Sequence, residues 1–352
     1  MDFNLDETQQ DLKKLAAEVL AREGDEERLW QTGLMSVCVP EAAGGAGLGP
    51  VEMAVVLREV GARAASVPAL ATLASTLVLA RYGTLDQQRR FGGTAGEGDT
   101  VREDGGPGMS GAEAPAQDGA GRIALALREP GRALAEPPTT AARASGDGWA
   151  LTGRKVSVLH PASAVLVTAD EGLFLVTEPV TAAEYTSTGE PAATVVLDDT
   201  PGEWVAGPEA VAGARRLFTA AVAAQASGVL AGALELTTSY IKTRKQFGRA
   251  LAEFQAVTMQ IADVYIAGRA LDVAMWSAAW RLGEGLPAEQ DLALAAYHVG
   301  EAFKALYTCQ HLHGGLGLDV TYPLHRYFAQ AKHLSHLLGG ADAQLDLIGA
   351  LV

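Results

Sequence analysis

Thr243-Arg244-Lys245-Gln246-Phe247-Gly248, with Phe254-Gln255-Ala256-Val257 shortly after, separates two long Ala- and Leu-rich runs at about 217–243 and 254–282. Both runs are far too long for strands and carry apolar residues at helical spacing. Further runs of the same kind follow at about 288–311, 323–338 and 342–351, divided by short breaks that bear Gly or Pro. Short breaks between long helices force neighbours to run antiparallel, so residues 208–352 are predicted to form a C-terminal four-helix bundle.

Upstream of the bundle the period changes. Ile123–Leu127, Trp149–Thr152, Val156–Leu159, Ala164–Val167, Leu173–Val176 and Thr194–Leu197 are short, rich in apolar residues, and bounded by turn residues. They predict a small middle β-domain over 121–207. Before it, residues 1–120 read as an N-terminal helical domain. Leu12, Leu15, Ala16, Val19 and Leu20 recur at helical spacing behind Asp6, a candidate N-cap. Further helical runs cover Val51–Ala64 and Val67–Tyr82, and a Gly- and acid-rich stretch at 92–121 reads as a linker or surface loop. The fold class is α+β, in the order helices, sheet, helices.

Of the 352 residues 48% are hydrophobic, enough for a sizeable core. Lys+Arg number 27 against Asp+Glu 42, a net charge of -15. Nucleic acid and anionic membrane both demand clustered positive charge, so neither is expected as a partner; the acidity serves solubility. Cys38 and Cys309 form no CxxC pair, which argues against a disulfide framework or thiolate metal site. The acidic start Met1-Asp2-Phe3-Asn4-Leu5-Asp6 has no basic and apolar leader pattern. Thr219–Leu234 comes nearest to a membrane span, but Gln225, Ser227 and its glycines suit a buried helix better, and a cytoplasmic location is expected.

Two motifs carry less than they suggest. Gly44-Gly45-Ala46-Gly47-Leu48-Gly49 has the look of a dinucleotide fingerprint, yet its neighbourhood is helical and lacks a βαβ unit, so a helix-connecting turn is the better reading. Five of the seven histidines fall at 311–336 without HExxH or regularly spaced acidic or Cys ligands. Packing and hydrogen bonding account for them better than a metal.

Taken in order along the chain, several segments together resemble the acyl-CoA dehydrogenase family. Thr243–Gly248 with Phe254-Gln255 is similar to its R-x-x-F-G…F-Q segment. Leu312-His313-Gly314-Gly315-Leu316-Gly317 and Tyr322-Pro323-Leu324-His325-Arg326 are similar to I-H-G-G-x-G…Y-P-x-x-R. Asp2-Phe3, the Pro40-Glu41…Gly49 loop and Leu125-Ala126-Leu127-Arg128-Glu129-Pro130-Gly131 match the family's opening and its A-L-T-E-P-G turn.

The resemblance implies FAD as cofactor and an acyl-CoA as substrate. In the family the flavin takes a hydride from the β-carbon while a glutamate removes the α-proton, and a positioned base is worth roughly 10²–10⁴ in rate. Counted without gaps from Gly314-Gly315, the base position is Leu338. The alternative base position, on the helix before R-x-x-F-G, falls near Phe218. Neither is a carboxylate, and Asp342 lies about one helical turn too far on to replace one.

Each family FAD is shared across a dimer. One subunit holds the ring, through a W-x-T strand, the E-P-G turn and a threonine after the base. The other grips adenosine and pyrophosphate. This chain keeps the second set, in Arg244, Gln246, Phe247, Phe254, Gln255, Gly314 and Gly315, with His311 where a Gln is usual. It departs in the first set: Ser157-Val158-Leu159 stands where W-x-T is expected and Gly340 in place of the threonine, although the Glu129-Pro130-Gly131 turn is kept. The expectation is a non-catalytic subunit that shares FAD with a partner carrying the catalytic Glu, similar to the base-less half of paired steroid-side-chain enzymes. A base-independent flavin oxygenase on the same fold and a flavin-free scaffold or CoA-ester binding protein stay open. So does an ion-pair role for Arg244 within its own chain.

Overall fold

The structure, a computed structural model, describes residues 3–21, 26–92, 122–146 and 148–351. Asp2 and most of the stretch read as a linker (93–121) lie outside the described residues.

The chain opens with α1 (Glu7–Val19), α2 (Glu26–Gln31), α3 (Pro50–Ala62), α4 (Ala69–Tyr82) and α5 (Leu85–Gly92). Asp6 caps α1 as its sequence suggests. Its carboxylate accepts the Gln9 N–H at 2.8 Å, and the Gln9 side chain accepts the Asp6 N–H at 3.1 Å. The Gly44–Gly49 loop joins a short 3₁₀ turn to α3, with the Glu52 carboxylate accepting the Gly49 N–H at 2.9 Å. It is a helix connection.

The middle of the chain is a sheet of β1 (Ile123–Ala126), β2 (Ala141–Ser145), β3 (Gly148–Leu159), β4 (Ala164–Thr168), β5 (Leu173–Thr177), β6 (Val180–Tyr185) and β7 (Pro191–Ala206). Among the described residues its order is β1-β4-β5-β7-β3-β2, with β6 also paired to β7. Only β1 and β4 run parallel. The two strand segments predicted at Trp149–Thr152 and Val156–Leu159 are one strand, β3, carrying a bulge between Lys155 and Val158. Ser157 sits in that bulge with φ 54, a left-handed backbone that a non-Gly residue rarely takes.

The C-terminal region is α6 (Pro208–Thr243), a hairpin of β8 (Lys245–Gln246) and β9 (Arg249–Ala250), then α7 (Gln255–Gly283), α8 (Glu289–His313), α9 (Leu324–Leu337) and α10 (Gly340–Leu351). Helix α6 is the spine, packing on α7, α8 and α9, while α10 lies against α8. It is long and apolar enough to cross a membrane by length and composition, and 83% of its most apolar window is buried inside the protein. The sequence placed its start near 217; it begins at Pro208, where proline's fixed φ and missing N–H suit the first helical position.

One apolar core runs through the N-terminal helices, one sheet face and the C-terminal helices. A second, smaller one lies on the other sheet face, capped by Trp149, Phe174 and Trp204. Helices α3 and α6 meet backbone to backbone. A Cβ at Gly228 would lie 1.9 Å from the Arg58 carbonyl oxygen, and one at Gly61 2.0 Å from that of Gln225. A buried clamp fastens the crossing to α7: Arg58 donates to Ser227 at 3.0 Å and pairs with Asp272 at 3.3 Å, while Ser227 donates to Asp272 at 2.5 Å.

Candidate functional site

The residues expected to grip a nucleotide gather at one end of the bundle. After α6 the chain turns through β8 and β9 across Phe247-Gly248, both with positive φ (51° and 81°), the geometry of a two-residue hairpin turn. Phenylalanine at such a position is strained, and this residue is 93% exposed, its ring edge-on to Phe254 with ring centres 6.4 Å apart. Arg249 stacks over Phe254 at 4.0 Å, and Gln255 opens α7 beside it. Arg244 and Gln246 are exposed, and among the described residues no carboxylate pairs with Arg244.

The Gly314-Gly315 loop is tied to that hairpin by aromatic stacking. Tyr240, four residues before Arg244, stacks on His313 with ring centres 4.4 Å apart, and its hydroxyl donates to the His313 carbonyl at 3.5 Å. His313 Nδ1 lies 2.8 Å from the Cys309 carbonyl, which can only accept, so Nδ1 carries the proton and Nε2 accepts from the Tyr322 hydroxyl at 3.1 Å. Burial pushes the imidazole pKa below its usual 6.5, despite the opposing bond to Cys309, and keeps it neutral. His313 thus packs and positions. Beyond it Gly314 adopts φ 60, and a Cβ at either Gly314 or Gly315 would meet nothing within 4 Å, leaving their backbone open to an outside group. His311 is exposed on the last turn of α8.

The two degenerate base positions lie elsewhere, both in the apolar core. Leu338 caps α9 at 3% exposure, packed in the same core as Leu334 and Leu337. Phe218, at 7%, lines a cavity of only about 10 Å³ with Leu125, Leu127 and Arg128. That volume holds about one water. Asp342 is exposed on the first turn of α10. Gly339 and Gly340 both have positive φ (85° and 81°), so a threonine at 340 would be strained. Val158 and Leu159 enter the two cores on opposite faces of β3.

The residues present suit one half of an FAD only. The exposed hairpin, the stacked Phe254 and the open glycine loop suit a phosphate-bearing nucleotide presented from outside. The ring half lacks its indole, its hydroxyls and room at Phe218.

Sequence reasoning missed two features. One is the Tyr240–His313–Tyr322 stack. The other is a groove of about 320 Å³ lined by Arg128, His333 and His336, residues from different elements that no motif joins.

Comparison with known proteins bears on all of this. Residues 6–99 match the family model "Acyl-CoA dehydrogenase, N-terminal domain", and residues 216–352 match "Acyl-CoA dehydrogenase, C-terminal domain". The acyl-CoA dehydrogenase FadE28 of Mycobacterium tuberculosis is 38% identical, with 99% of this chain and 98% of that protein covered. Among solved structures, the Tcur3481–Tcur3483 steroid ACAD (G363A variant) superposes at TM-score 0.84 with 33% identity, covering 98% and 97%. The ChsE4–ChsE5 complex from Mycobacterium tuberculosis gives TM-score 0.83 and 29% identity, covering 99% and 98%.

Proposed function

This chain belongs to the acyl-CoA dehydrogenase family, and from that premise we propose that it is the non-catalytic subunit of a heteromeric, FAD-dependent enzyme. The partner subunit carries the base and seats the flavin ring. This subunit contributes contacts to the adenosine and pyrophosphate. FAD supplies the hydride acceptor. The substrate is an acyl-CoA at the partner's site, and the steroid ACAD among the structural neighbours favours a bulky side chain.

The observation that carries this reading is the opposite fate of the two residue sets. Leu338 and Phe218 are walled into apolar core, whereas Phe247 is held out almost fully exposed on a strained turn near Arg244, which no carboxylate pairs among the described residues. Exposing a strained aromatic costs free energy that a partner surface would offset. Helix α7 also presents Met259, Ile266 and Val273, all exposed at a spacing of seven. That spacing keeps them on one face, as a helix packed against another chain requires. Arg244 offers a guanidinium fork, and the side-chain-free Gly314-Gly315 loop lets a pyrophosphate approach the backbone closely.

Arg244→Ala in the co-purified complex should lower FAD occupancy at least about tenfold at limiting FAD, the loss of one charge-assisted contact. This subunit should stay folded. Absorbance at 450 nm against protein, with urea unfolding of the isolated chain, tests both. Full occupancy together with a less stable chain would place Arg244 in an internal structural role.

A further inference from the structure

A groove of about 320 Å³ lies between the bulge of β3, the β6–β7 turn and the last turns of α9. Its chemistry is cationic at the base and hydroxylic at the rim. Arg128 enters from the turn after β1 and is half-buried. Among the described residues no carboxylate or carbonyl accepts from its guanidinium, a group that stays charged at any working pH. Its partial burial lowers its pKa, which a bound anion would offset.

His333 and His336 face the same groove from α9. Burial first, then Arg128, His336 and His160, press the His333 pKa down to about 4, so at neutral pH it is an uncharged N–H donor. Ser157 and Ser187 add hydroxyls, and Ser157 is turned there by the strained bulge, whereas the Thr186 hydroxyl is taken up by Thr188 and the turn. The single lining carboxylate, Glu184, is exposed and accepts from Thr194 at 2.6 Å. Arg128 and Ser157 also border the Phe218 cavity, which at about 10 Å³ admits nothing larger than water. Whatever reaches Arg128 must therefore sit in the groove itself.

We propose that this groove binds an oxyanion, the carboxylate or phosphate group of a small molecule, anchored by the Arg128 guanidinium and flanked by His333, His336 and the Ser157 and Ser187 hydroxyls. A planar fork is suited to bidentate capture of either group. The proposal rests on the reading that this chain seats no flavin ring of its own, because Ser157 stands where that ring would need its aromatic wall.

The test titrates the full-length chain with inorganic phosphate and separately with succinate, following imidazole NMR signals and heat of binding. Saturable millimolar binding that moves the His333 and His336 resonances is expected. A preference for phosphate would mark a phosphate ester, a preference for succinate a carboxylic acid, and either supports the site. Arg128→Met should weaken binding at least about tenfold, the loss of a bidentate charge-assisted contact. The exposed His336→Gln, which leaves the core intact, should weaken it by a smaller factor. No saturation with either anion, or unchanged affinity in both variants, would overturn the site while leaving the subunit assignment intact. Binding of lumiflavin, which is a flavin ring alone, with shifts of the same two histidines would overturn both.

Discussion

Replacing Leu338, which ungapped counting places at the family's base position, with glutamate is expected to yield no dehydrogenation by this chain and to destabilise it by about 4 kcal/mol. Losing a buried leucine alone costs about 2–5 kcal/mol. The incoming carboxyl would also enter an apolar site with Leu334 and Leu337 around it, where it must stay protonated or lose several kcal/mol of hydration. Activity does not return because the carboxylate is only one of the missing parts. Gly340 lies at a φ that threonine resists, and β3 spends Val158 and Leu159 on core packing. Urea unfolding and an acyl-CoA assay of the variant alone check the two halves. Turnover without a partner chain would mean that the flavin site is whole.

The second large effect lies in the sheet. Lys155 Nζ is fully buried and sits 2.7 Å from Glu129 and 3.1 Å from the Thr168 hydroxyl. Glu129 also accepts the N–H and hydroxyl of both Thr139 and Thr140, at 2.5–2.9 Å. Burial pushes the Glu129 carboxyl upward, but its bonds from Lys155, Thr139 and Thr140 outweigh that and hold it at about 2. Lys155→Met leaves this carboxylate buried without its cation, and breaking such a pair costs about 3–5 kcal/mol. The lower end is expected because the threonine donors remain. The sign with pH follows from the lowered pKa. The stability Glu129 contributes is present above its ordinary 4.5 and lost as pH falls through about 2, so the gap between wild type and variant should narrow on acidification. A difference below about 1 kcal/mol at pH 7 would show that the pair contributes nothing beyond its threonines.

The sequence carried the architecture where local rules are strong. Asp6 and the spacing of Leu12, Ala16 and Val19 specify α1, and the breaks at Gly248 and Gly314 divide the C-terminal helices. It was mute where those rules lapse. Strand β6 is exposed along its whole length and shows no apolar alternation, and β8 and β9 are two residues each. The first turns of α6 carry Glu209, Arg215 and Arg216, which blur the apolar run that signals a helix.

The site divides the same way. The hairpin and glycine loop are legible because their residues are contiguous in the chain. The Arg128 groove is assembled from a turn, a bulge and a late helix, so only folding brings it together. The expected role of the late histidines also splits: His313 is a packing and positioning residue, whereas His333 and His336 face a groove.

Flavin content of the purified chain tests the central claim most directly. Expressed alone, this subunit should be colourless or far below one FAD per chain. Co-expressed with a base-bearing partner, it should co-purify as a yellow complex. A bright yellow homomer with one FAD per chain would contradict the division of the flavin site between two subunits.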